Sequence, residues 1–121
     1  MSGLKSRQKG VRVERDVVNW HRDTGVYAER VPLSGASHYQ GSNTDIDVYA
    51  FGRNADPLRF EIKARKDGAG FRLFHKWLEG KEGLITKQNG TQEVVHLPRD
   101  TYERMLRHIA DLEQRLESLI K

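Results

Sequence analysis

Four residues in the middle of this chain, Asp45, Asp47, Glu61 and Lys63, could do chemistry together. Two strand-like stretches carry them. In residues 45 to 51 the apolar residues Ile46, Val48 and Ala50 alternate with Asp45, Asp47 and Tyr49; in residues 58 to 64 Leu58, Phe60, Ile62 and Ala64 alternate with Arg59, Glu61 and Lys63. Both apolar faces must lie on one side of a sheet, so the acids and the lysine share the other side. Pairing Ile46 with Ile62, Val48 with Phe60 and Ala50 with Leu58 puts Asp47 opposite Glu61 and Asp45 opposite Lys63. The next allowed register puts Asp47 opposite Lys63. Carboxylates that face each other across a ladder repel unless something positive lies between them. Lys63 is one candidate and a divalent cation another. Mg²⁺ takes oxygen ligands and keeps several waters, so one or two carboxylates and a substrate phosphate suffice. Such a cation polarises the phosphate and helps ionise a water, which Lys63 could orient. The plain alternative is a solvent-facing strand with surface ion pairs.

Glu14 favours the chemical reading. Residues 9 to 23 read as a helix whose apolar stripe holds Val13, Val17 and Trp20 with Val11, Val18 and His21, and Glu14 lies on that stripe. A carboxylate there needs a partner. Complementing the helix dipole is one use; serving as a third acid beside Asp47 and Glu61 is the simpler one.

The run Lys9-Gly10, Glu14-Arg15, Asp47-Val48-Tyr49 and Glu61-Ile62-Lys63 resembles the PD-(D/E)XK nuclease pattern. Within it, the chain is most similar to the archaeal-type Holliday junction resolvases and their phage and bacterial relatives, over about residues 9 to 80. The resemblance implies a restriction-endonuclease-like α/β fold and a DNA endonuclease that uses Mg²⁺, with Mn²⁺ as a substitute. It implies Asp47, Glu61 and the Ile62 carbonyl as metal ligands, Glu14 on the metal or its water shell, Lys63 beside the attacking water, and Ser34 near the scissile phosphate. One position departs from the pattern: Thr44-Asp45-Ile46-Asp47 has no Pro before the acid and offers two acids. Asp47 is preferred because two β-branched or aromatic residues follow it, and Asp45 is the alternative. A branched DNA substrate rests on the resemblance alone; other branched or duplex DNA, or a non-catalytic DNA-binding module on the same fold, are its rivals. An interaction protein working through its C-terminal helix is a third reading, and it leaves Glu14 unexplained.

The flanking elements must position these groups. Residues 26 to 31 read as a strand after a stop at Gly25, and residues 33 to 44 form a long irregular loop with His38 as a candidate substrate contact. Residues 65 to 70 form a basic loop and residues 71 to 78 a helix with Phe71, Phe74, Trp77 and Leu78 inward. Strands at 84 to 87 and 93 to 97 flank an Asn89-Gly90 turn, and a long helix follows Pro98, capped by Asp100 or Thr101. The expected order is α-β-β-β-α-β-β-α around one mixed sheet.

With 121 residues, 31% charged and 36% hydrophobic, the chain suits one soluble domain: a nuclease part over residues 1 to 98 and a C-terminal helix over 99 to 121. It has no cysteine, which excludes disulfides and thiolate metal sites, and none of its five histidines forms a zinc-binding pair. No apolar run suits a membrane span or a secretory signal. A cytoplasmic location is expected, in a host cell if the gene is carried by a phage. Net charge is +4, concentrated around Lys5, Arg7, Lys9, Arg12 and Arg15 and around Lys63, Arg65, Lys66, Arg72 and Lys76. Lys9, Arg12, Arg65, Lys66 and Arg72 are candidate phosphate contacts, although solvated basic faces have the same composition. In the last helix Tyr102, Met105, Ile109, Leu112, Leu116 and Leu119 follow heptad spacing, which suits packing on the domain's own sheet or self-association. The stripe runs to the chain end, and a homodimer is the expected use.

Overall fold

The computed structural model describes residues 2–31 and 44–120, with side chains from residue 10 onward. Among the described residues eight elements follow the expected order: α1 (Ser2–Asp23), β1 (Ala28–Arg30), β2 (Ile46–Val48), β3 (Leu58–Phe60), α2 (Ala69–Leu78), β4 (Leu84–Thr86), β5 (Val94–His96) and α3 (Arg99–Ile120). Among the described residues the strands make two antiparallel sheets, β1-β2-β3 and β4-β5, where one mixed sheet was expected. The chain divides into two compact units, one of residues 1–64 with 106–121 and the other of residues 65–105.

The first unit holds the core. The row Glu14, Val18, His21 on α1 faces the sheet, with Val18 and His21 buried. Beneath it lie Ala28, Ile46 and Val48, all at 0% exposure, which is the apolar alternation of β2 made physical. His21 satisfies its buried ring by a 2.7 Å contact from Nδ1 to the Val17 carbonyl, and its ring centre lies 6.4 Å from that of Phe60. α1 stops at Gly25, whose φ of 97° belongs to the left-handed region. Arg107 of α3 donates to the Asp23 carbonyl at 3.2 Å, satisfying one of the carbonyls left open at the end of α1.

Gly25 is also required by space. A β-carbon placed there would lie 2.8 Å from the β-carbon of Ala110. Gly25→Ala is therefore expected to destabilise the protein by about 2–4 kcal/mol, combining backbone strain with a clash between parts that cannot swing away. A urea midpoint equal to that of the wild type would show that this helix contact is dispensable.

The second unit is lighter. Gly90 adopts φ 82°, as the Asn89-Gly90 turn requires, and Thr91 N–H donates to the Gln88 carbonyl at 3.0 Å. The inward set expected on α2 is only partly found. Phe74 packs on His96 at 4.8 Å between ring centres, while Phe71 and Trp77 stay partly exposed. α3 opens at Arg99, directly after Pro98, so neither Asp100 nor Thr101 is the cap. Asp100 lies in the first turn, where its carboxylate complements the dipole and accepts the Thr101 N–H at 2.8 Å.

Candidate active site

The site's residues come from β1, β2 and the run that follows β3. The observed register is Ile46↔Phe60, Asp47↔Arg59 and Val48↔Leu58. Asp47 therefore faces Arg59, not Glu61 or Lys63, a slip of two residues from the preferred expectation. The slip keeps every side chain on its expected face, because the side-chain period of a strand is two.

Asp45 explains where the ladder stops. Its N–H donates to the Phe60 carbonyl at 2.9 Å, and its carboxylate accepts the Ile62 N–H at 2.6 Å. A side chain thus takes the place of the next main-chain partner. Glu61, Ile62 and Lys63 lie past the end of β3, pinned at Ile62. The two side chains flanking that pin form an ion pair, Lys63 Nζ to Glu61 Oε2 at 3.5 Å, each 56% exposed. One oxygen of Asp45 is thus engaged by the backbone, whereas Asp47 stands opposite Arg59.

Asp47 is half-buried and its carboxyl is pushed up from the ordinary carboxylate range. Burial is the main cause. The Glu29 carboxylate adds to it, and the Arg59 guanidinium opposes it. Glu29 is the residue directly opposite Asp47 on β1. Sequence reading missed it because the short strand Ala28–Arg30 gave no register.

Glu14 lies where the helix face predicted, 18% exposed, but its partner is Arg30, whose Nε donates to Glu14 Oε1 at 3.1 Å. Arg30 pairs with Ile46 in the ladder, on the side covered by α1. Asp47, one residue along β2, projects from the opposite face. The expected convergence of Glu14, Asp47 and Glu61 on one cation is not found: among the described residues no three such side chains form a metal-holding group. Strand alternation, together with the Arg30 partner, is the reason.

Arg12, Arg65, Lys66 and Arg72 are exposed. Ser34, His38 and the side chain of Lys9 lie outside the described residues. Among the described residues no helix is long and apolar enough to cross a membrane.

A Glu-x-Lys run just past the end of β3 and the acid Asp47 on the neighbouring strand are the features that the resemblance attaches to nuclease chemistry. Compared with models of protein families, the chain matches the archaeal Holliday junction resolvase (Hjc) family over residues 5–115. It belongs to that family. Comparison with curated proteins and with solved structures gave no match. Membership makes the chain a Holliday junction resolvase-like nuclease of the PD-(D/E)XK superfamily, with a mixed α/β fold consistent with the restriction-endonuclease type. The donor chemistry around Asp47 suits the divalent metal used by such nucleases: oxygen donors, no thiolate, and a carboxylate whose local surroundings disfavour its charge until a cation arrives.

Proposed function

We propose that the protein is a Mg²⁺-dependent endonuclease, served also by Mn²⁺, that cleaves phosphodiester bonds in four-way DNA junctions. Asp47, Glu61 and the Ile62 carbonyl would hold the cation. Glu14 has no part in holding this cation in the proposal, because its carboxylate pairs with Arg30 on the α1 side of the sheet, the face opposite Asp47. The observation that carries the reading is the Glu61–Lys63 pair at 3.5 Å, standing past the ladder end on a backbone pinned by Asp45, in a chain of this family.

When bound, the cation supplies a Lewis acid for the phosphate and a lower pKa for water. The residues do the rest. Asp45 fixes the Ile62 peptide and with it the spacing of Glu61 and Lys63. Lys63, a cation with three donors, orients the attacking water and offsets charge that develops on the phosphate. Arg12, Arg65, Lys66 and Arg72, with Lys9, are proposed phosphate contacts, which bind without reading sequence. Ser34 is proposed beside the scissile phosphate. The protein is proposed to act as a homodimer, because a four-way junction presents two equivalent strands.

The test uses end-labelled four-way junction, flap and linear duplex of one sequence, each with Mg²⁺ or with EDTA. Junction cleavage that requires Mg²⁺ and exceeds cleavage of the other two substrates is expected. Equal cutting of the linear duplex would overturn the junction assignment, and cutting in EDTA would overturn the metal.

A further inference from the structure

Glu29 stands directly across the β1–β2 ladder from Asp47. Two carboxylates at such facing positions repel, and free side chains would swing apart into water. Glu29 is held instead. The Tyr27 hydroxyl donates to its Oε2 at 3.1 Å and the Tyr49 hydroxyl to its Oε1 at 3.2 Å, one phenol for each oxygen. The tyrosines are themselves fixed. Their ring centres lie 5.7 Å apart across the same ladder, and the Arg53 guanidinium sits 3.6 Å from the centre of the Tyr27 ring and 6.0 Å from that of Tyr49. Tyr27, Glu29, Asp47 and Tyr49 thus form a square on one face of the sheet, with Arg53 clamping its aromatic edge.

Hydroxyl donation to both oxygens occupies the Glu29 carboxylate and holds it in place. Such a carboxylate is a poor metal ligand and a good fixed charge. The need it creates is a positive group at Asp47, which Arg59 answers from one side only. We propose that Glu29 is a positioning residue for the cation held at Asp47: fixed by Tyr27 and Tyr49, it supplies a second negative charge that strengthens cation binding without becoming a ligand. This rests on the reading of Asp47 as a metal ligand. The competing role is purely structural, a tyrosine–carboxylate staple joining β1 to β2.

Calorimetric titration of Mn²⁺ into the full chain separates the two, with thermal melting run alongside. Glu29→Gln keeps an acceptor for a tyrosine and removes the charge. It is expected to weaken Mn²⁺ binding about tenfold, by loss of a charge interaction at short range, while the melting temperature holds. Glu29→Asp restores most of the affinity. Tyr27→Phe with Tyr49→Phe keeps the charge but frees it, and is expected to weaken Mn²⁺ binding by a smaller factor. If Glu29→Gln binds Mn²⁺ like the wild type while Asp47→Asn abolishes binding, the role given to Glu29 is overturned and the metal site stands. If Asp47→Asn leaves Mn²⁺ binding intact, the metal site and this inference both fall. If Glu29→Gln does not fold, the tyrosine double variant decides: unchanged Mn²⁺ affinity there overturns the proposal.

Discussion

Asp47→Asn is expected to abolish junction cleavage and to leave the fold as stable as the wild type or more so. The first half follows from the proposed ligand role. Losing a ligand to a cation that contributes several kcal/mol of transition-state stabilisation lowers the rate by about a thousandfold or more. The second half follows from the surroundings of Asp47. Its carboxyl is pushed up, chiefly by burial and then by Glu29, with Arg59 opposing. An acid whose folded value lies above its unfolded one binds its proton more tightly in the native state. Stability then falls as pH rises from the unfolded value through the folded one, and at neutral pH the ionised side chain is a net cost. Asn removes the charge and keeps the shape. Glu61→Gln should lose cleavage to a similar extent with little change in melting temperature, because the Glu61–Lys63 pair is exposed. Junction affinity in a gel shift should be equal or tighter for both, since each removes a negative charge near phosphate. Single-turnover cleavage with Mg²⁺ and a thermal melt on the same samples check the two halves together. Near wild-type cleavage by both variants would place catalysis elsewhere, whereas a large fall in the melting temperature of Asp47→Asn would make that acid a structural residue.

Much of this arrangement is legible in the sequence. The order of elements, the burial of Ile46 and Val48, the stop at Gly25 and the Asn89-Gly90 turn follow from periodicity and from the few residues that tolerate positive φ. The face on which each β2 and β3 side chain lies was fixed by alternation. What alternation cannot fix is a slip of two residues, because every even slip preserves the faces. The deciding contact is the Asp45 carboxylate on the Ile62 N–H, a side-chain interaction with no periodic signature. The partner of Glu14 was hidden for a similar reason. A carboxylate on an apolar stripe announces that it needs a cation, but not that the cation is Arg30 on a three-residue strand. In α3, heptad counting placed Met105 on the inner seam, yet Leu106 is the buried residue. The close approach of Ala110 to Gly25 sets the helix's rotation there, and this contact between distant parts of the chain leaves no trace in local spacing.

That rotation bears on how the protein assembles. With Leu106 turned inward, Leu112 and Leu116 are about half exposed, and Leu119 and Ile120 are more than four-fifths exposed. Charged neighbours flank this stripe, with Arg115 paired to Asp111 at 3.1 Å. Self-association through it would bury at least Leu112 and Leu116 from each chain, at about 1.5 kcal/mol or more per side chain. Four leucines then amount to about 6 kcal/mol, roughly four orders of magnitude in dissociation constant. Leu112→Glu with Leu116→Glu is accordingly expected to convert a dimer at micromolar concentration into a monomer in sedimentation. The circular dichroism spectrum should hold, because neither residue belongs to the buried core. Leu106→Ala supplies the contrast: it truncates a core residue at 2% exposure and should cost about 2–5 kcal/mol of fold stability. A functional readout follows from symmetry. A two-fold dimer presents two sites to the two equivalent strands of a junction, so both can be cut in one encounter. The dissociated double variant should still nick, since Asp47, Glu61 and Lys63 are untouched, but nicked junction should accumulate ahead of fully resolved product. A monomeric wild type, or a double variant that unfolds, would assign the end of α3 to the protein's own core.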